Sequence, residues 1–114
     1  MLQYQSQPLD LAFQALSDPG RRAMVERLSF GPASVSELAK PLPMTLSAVV
    51  QHLKVLEEAG LVKSEKVGRV RTCNLEIRAM AEVERWIAER KRFWNQQYDQ
   101  LEAYLAKTDP ETET

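Results

Sequence analysis

The sequence predicts a mainly α-helical fold with a small β-hairpin near its middle and one long helix at its end. Three stretches predict it. Residues 45–60 carry apolar side chains at helical spacing and close on a glycine; residues 61–75 gather β-branched side chains around a central glycine; residues 76–108 contain neither proline nor glycine.

The first of these stretches organises the rest. Thr45 is placed to cap the helix, its hydroxyl accepting an N–H of the first turn. Gly60 follows the helix, where a left-handed residue closes the last turn. Val49, Leu53 and Leu56 recur at spacings of four and three and share one face. Ser47, Val50, Gln51, Lys54 and Glu58 share another, which apart from Val50 is small, polar or charged. A helix with a buried side and a short, hydrogen-bonding, partly basic side is what the DNA major groove admits. An ordinary amphipathic surface helix has the same pattern.

The other elements follow in chain order. Residues 1–7 are polar and read as a frayed tail. Leu9, Leu11, Ala12, Ala15 and Leu16 mark a short first helix. Ser17-Asp18-Pro19 starts a second, with Asp18 as N-cap and Pro19 at the first helical position, where its missing N–H costs nothing. Met24, Val25 and Leu28 give that helix its apolar side, and Phe30-Gly31-Pro32 ends it. Ser34-Val35-Ser36-Glu37 fits a capping box for a third helix. Pro41 and Pro43 stop it early, leaving Leu38 and Ala39 as its buried residues. Helix, short turn, then the helix at Thr45 is a helix-turn-helix arrangement.

After Gly60, Leu61–Lys66 and Val70–Leu75 read as two strands joined at Val67-Gly68-Arg69. Lys66, Arg69 and Arg71 cluster at the tip. They are either a solvated edge whose charges resist strand–strand association or a wing resting on a phosphate backbone. In residues 76–108, Met80, Val83, Ile87, Trp94, Tyr98, Leu101 and Leu105 keep three-four spacing, and Trp86 and Phe93 form a second apolar line. A helix of that length spans about 45 Å, more than one small domain covers. Either it packs partly on a second chain or it wraps its own core. Pro110 stops it, and residues 109–114 read as a disordered acidic tail.

A chain of 114 residues gives one domain, over residues 8–108. Such a domain holds a modest core but no large enclosed active site. No apolar run approaches the roughly 18 residues of a membrane span, and no secretory signal is visible, so a cytoplasmic location is expected. The net charge of −1 excludes a uniformly basic, nucleic-acid-coating surface. The positive excess is local: residues 47–75 hold Lys54, Lys63, Lys66, Arg69 and Arg71 against Glu57, Glu58 and Glu65. The single cysteine, Cys73, cannot form an intrachain disulfide. With one histidine, one cysteine and no glycine-rich phosphate loop, the motifs hold no nucleophile–base pair, and no enzymatic activity or cofactor is expected.

Taken together, Leu16-Ser-Asp-Pro-Gly-Arg-Arg22, Ser34-Val-Ser-Glu-Leu-Ala39, Ser47-Ala-Val-Val-Gln-His-Leu-Lys-Val-Leu-Glu-Glu-Ala-Gly-Leu-Val62 and Gly68-Arg69 resemble the ArsR family of winged helix-turn-helix repressors. The resemblance covers about residues 8–105. It implies a homodimer, built from the first and last helices, that binds a palindromic operator on double-stranded DNA and represses transcription. The DNA contacts are then expected from Thr45, Ser47, Val50, Gln51 and Lys54, from His52 if it does not simply finish a helix–helix seam, and from the wing residues Lys66, Arg69 and Arg71. Gln51 can pair bidentately with adenine, and Val50 can touch a thymine methyl. The dimer contact is expected at Leu9, Ala12, Ile87, Trp94, Tyr98, Leu101 and Leu105.

Many members of that family sense metal, and here the sequence departs from them. Glu37-Leu-Ala-Lys-Pro-Leu42 lacks the family's thiolate pair, and residues 76–108 contain no histidine. His52 alone does not make a zinc site. No metal site is expected, and the chain is more similar to the family's metal-independent, autoregulatory branch. Two alternatives stand beside this: a dimeric protein-interaction module of the same fold, and a repressor that senses a small molecule or a redox signal.

Overall fold

Helical and strand propensity resolve into five helices and three short strands in the computed structural model, which describes residues 8–108. The order is α1 (Pro8–Ala15), α2 (Pro19–Leu28), β1 (Ala33–Ser34), α3 (Val35–Ala39), α4 (Leu46–Glu58), β2 (Val62–Val67), β3 (Val70–Leu75) and α5 (Ile77–Thr108). The architecture is that of a winged helix-turn-helix: mainly helical, with a small antiparallel sheet and a long C-terminal helix. The tails expected at 1–7 and 109–114, and the stop expected at Pro110, lie outside the described residues.

The described residues fall into two compact units, one running to Val83 and one starting at Glu84. The core of the first unit is a single apolar cluster that includes Met24, Leu28, Leu38, Val49, Leu56 and Leu61. Each fully buried aliphatic side chain of this size contributes about 1.5–3 kcal/mol relative to exposure. The second unit is the remainder of α5.

Local signals set the helix starts as the sequence predicts. The Asp18 carboxylate accepts from the Arg21 backbone N–H at 3.0 Å, with Pro19 in the first turn. At α3 the capping box closes in both directions. The Glu37 N–H donates to Ser34 Oγ at 3.1 Å, and the Ser34 N–H donates to Glu37 Oε1 at 2.8 Å.

The sheet corrects one expectation. A two-strand hairpin is legible in the sequence, but the sheet has three strands in the order β1-β3-β2, all antiparallel. β1 is two residues long, with Ala33 opposite Cys73 and Ser34 opposite Thr72. Two residues carry no readable alternation, so only tertiary pairing reveals the strand. Ser34 thereby serves two elements: its side chain caps α3 while its backbone pairs with β3. This ties the first helix of the helix-turn-helix to the root of the wing.

Candidate nucleic-acid interface

The candidate interface is built on α4. Thr45 caps it, its hydroxyl accepting from the Ala48 N–H at 3.1 Å. At the other end Gly60 sits at φ +78°, the left-handed region where a side chain is disfavoured. The Leu61 N–H donates to the Leu56 carbonyl and the Gly60 N–H to the Glu57 carbonyl, both at 3.0 Å. That pair of bonds is a Schellman motif, and Leu56 and Leu61, both fully buried, supply the apolar contact that accompanies it. Helix and first wing strand therefore join through a fixed corner. Val49, Leu53 and Leu56 point into the core. Ser47, Val50, Gln51 and Lys54 are exposed, as is Thr45 at the cap. Their side chains stand free to reach a groove.

His52 takes a different place. It is half-buried at the seam between α2 and α4, where Arg21 Nη1 lies 3.1 Å from its Nδ1. A guanidinium only donates, so Nδ1 accepts and a neutral ring carries its proton on Nε2. Asp18 Oδ2 is 3.9 Å from the same nitrogen. The Arg21 backbone N–H above all, opposed by partial burial and helped by the nearby Arg21 guanidinium, holds the Asp18 carboxyl below its usual range. Arg21 also donates from Nε to the Ala15 carbonyl at 2.6 Å. It thus connects the end of α1 to α4, a role that no local sequence signal announces.

The wing places its cations in a defined register. Val67 pairs with Val70 across a two-residue loop in which Gly68 adopts φ +64°. Lys66 stands directly opposite Arg71. Like charges at such a pair disfavour the sheet, and an anion laid across them would relieve that repulsion. Lys66, Arg69 and Arg71 are all exposed. Arg71 Nη1 donates to Ser64 Oγ at 2.8 Å, and Ser64 Oγ donates to Glu57 Oε1 at 2.6 Å. This chain joins the wing to the outer face of α4, so the basic wing and the polar face of the helix are held in one arrangement. Between them runs an open groove of ≈ 450 Å³, with Val35, Leu53 and Cys73 among its lining residues. Cys73 is fully enclosed, and burial above all pushes its thiol up, out of the reactive range.

The residues expected at a dimer contact divide. Ala12 is enclosed in its own chain's core and presents no surface of its own, while Leu9 is half-buried against that core. In the second unit, Ile87, Trp94, Tyr98, Leu101 and Leu105 form an exposed apolar stripe along α5. Arg90 stacks on the Trp86 ring, 4.7 Å from its centroid, one turn away.

A mainly helical fold with a small wing, and a capped helix that shows a polar face beside basic strands, define a winged helix-turn-helix DNA-binding transcription regulator. Comparison with known proteins agrees. A family model described as a helix-turn-helix domain matches residues 16–65. The HTH-type transcriptional regulator Rv2034 of Mycobacterium tuberculosis is 46% identical over 85 residues, which is 75% of this chain and 77% of that protein. The crystal structure of an ArsR family transcriptional regulator superposes with a TM-score of 0.72 at 48% identity, covering 78% of this chain and 98% of the other. The solution structure of a homodimeric winged helix-turn-helix DNA-binding domain from Mycobacterium bovis shares the fold at 20% identity, with a TM-score of 0.59 and coverage of 87% and 95%. The chain belongs to the ArsR family of transcriptional regulators.

Proposed function

We propose that this protein is a homodimeric, autoregulatory repressor that binds a near-palindromic operator and needs no metal inducer. The observation that carries the reading is the exposed row Ser47, Gln51 and Lys54 on a helix pinned at both ends, beside a wing whose cations Lys66 and Arg71 face one another across the ladder. Gln51 and Lys54 read base edges, Ser47 and Thr45 support them near the backbone, and Lys66, Arg69 and Arg71 hold phosphates, which adds affinity without reading sequence. His52 acts from the α2–α4 seam, orienting the helix rather than touching DNA.

Residues 8–108 act as one regulatory domain in which α5 supplies the dimer contact. One reading helix selects poorly alone; a two-fold pair places two about 34 Å apart, one DNA turn, and so requires a palindrome. Trp94, 44% exposed in the single chain, is the anchor of that contact. The metal-independent reading rests on the missing cysteines in residues 37–42 and the absence of histidine from residues 76–108. A small-molecule signal is the second reading, favoured by the groove between α4 and the wing, whose ≈ 450 Å³ falls in the range of ligand sites.

The test is a binding series on the protein's own promoter. Gln51→Ala should cost about 1–3 kcal/mol on the specific site and relax one base preference, whereas Arg69→Ala should weaken all sequences alike and lower the salt slope by roughly one. A Gln51 variant that binds operator and random DNA as the wild type does would refute the reading face. Sedimentation should show a dimer at micromolar concentration, loosened by Trp94→Ala, and zinc titration should leave operator affinity unchanged. A monomer that still protects a whole palindrome, or zinc binding that releases DNA, would remove the corresponding part of the proposal.

A further inference from the structure

The reading helix carries a feature that hydrogen-bonding readout does not use. Leu46 is 57% exposed and Val50 50% exposed, although both are aliphatic and both lie in the first two turns of α4. A single exposed leucine is ordinary. These two are four residues apart, so they sit one turn above the other and only about 40° apart around the helix. Together they make a continuous apolar edge alongside Ser47, Lys54 and the rest of the polar row. The first turns are also where a recognition helix approaches base edges most closely. Neither side chain is needed to anchor the helix, since Val49, Leu53 and Leu56 occupy the core face.

The major-groove edges of the base pairs are otherwise donors and acceptors. Their one apolar feature is the 5-methyl group of thymine. We infer that Leu46 and Val50 form an apolar step that reads pyrimidine 5-methyl groups, so that the preferred half-site carries thymines where these two side chains land. This rests on the DNA-binding reading above and names the class of sequence that face selects. Ser47, Gln51 and Lys54 fix hydrogen-bonding positions, while Leu46 and Val50 select neighbouring steps by burying methyl groups. Removing one covered methyl therefore lowers affinity about fourfold, the equivalent of one buried carbon group. No phosphate contact is involved, so the salt slope stays unchanged.

The experiment uses a duplex selected by the full-length protein from a randomised pool, then synthesised in two forms, one with thymine and one with deoxyuridine. The two forms share base pairing and phosphates and differ in the 5-methyl groups. The wild type should prefer the thymine duplex by about fourfold for each methyl covered. The double variant Leu46→Ala, Val50→Ala should bind both forms equally, at the wild type's uracil level, with an unchanged salt slope. Both substitutions lie on the surface of a helix, and alanine favours helix, so a single cooperative melting transition lowered only slightly reports that the fold is intact. Equal wild-type affinity for the two duplexes overturns the inference, as does a double variant that keeps the wild-type preference. Failure to retain any duplex from the pool overturns the DNA-binding reading itself, and this inference with it.

Discussion

The same chemical change at two positions of α4 separates what anchors the helix from what it offers to a ligand. Leu56 is 0% exposed and Leu46 is 57% exposed, ten residues apart on one helix. Leu→Ala removes three carbon groups. At Leu56 their transfer is worth about 2.4 kcal/mol at roughly 0.8 kcal/mol per group. The cavity left between α4 and the Leu61 corner raises this to about 3–4 kcal/mol. At Leu46 less than half of the side chain is covered and no cavity forms, so the loss is about 1 kcal/mol or less, offset further by alanine's helix propensity. Urea unfolding at equal protomer concentration is the assay, because the stability of the proposed dimer would depend on concentration. With an m-value of about 1.5 kcal/mol/M, Leu56→Ala should lower the midpoint by about 2 M and Leu46→Ala by well under 1 M, m itself staying constant. Equal losses at the two positions would show that α4 is not seated by the face assigned to the core, and the polar row would then not be the one presented to DNA.

Other expectations follow from the caps and the buried thiol. The Ser34 N–H, followed by the Ser34 hydroxyl, holds the Glu37 carboxyl below the usual glutamate range. A depressed folded-state value means that this stability is present above the ordinary glutamate range and is lost as pH falls through the lowered value. Glu37→Gln should therefore flatten the acid limb of stability against pH, measured by thermal unfolding, and an unchanged limb would refute the assignment. Gly60→Ala meets no atom within 4 Å, so its cost is purely that of a side chain at φ +78°, about 1–2 kcal/mol by chemical denaturation. A neutral effect would show that the helix ends differently. Cys73, enclosed on β3 with its thiol pushed up by burial, should react with an alkylating reagent only at the rate of opening and at full speed in denaturant. Rapid labelling of the native protein would contradict its burial and revive a redox role.

Much of this protein is written locally. Asp18-Pro19, Ser34 to Glu37, Thr45 and Gly60 each act within a few residues of their own position, so the helix limits they set are legible without a fold. The spacing of Val49, Leu53 and Leu56 likewise fixes the buried side of α4, and with it the exposed row Ser47, Gln51 and Lys54, because helical periodicity is a property of the chain alone. What tertiary structure decided lies in contacts between residues far apart in sequence. β1 exists only because Ala33 and Ser34 meet Cys73 and Thr72. Arg21 reaches His52 across thirty-one positions and draws that imidazole into a seam. Arg71 reaches Glu57 through Ser64, which holds wing and helix together. Ala12, which the family resemblance led one to expect at a dimer contact, is closed over by its own core. The reason is the same in each case: a cap or a face depends on neighbours a turn away, whereas a pairing partner, a bridging side chain or a covering surface depends on which segments the whole chain brings together.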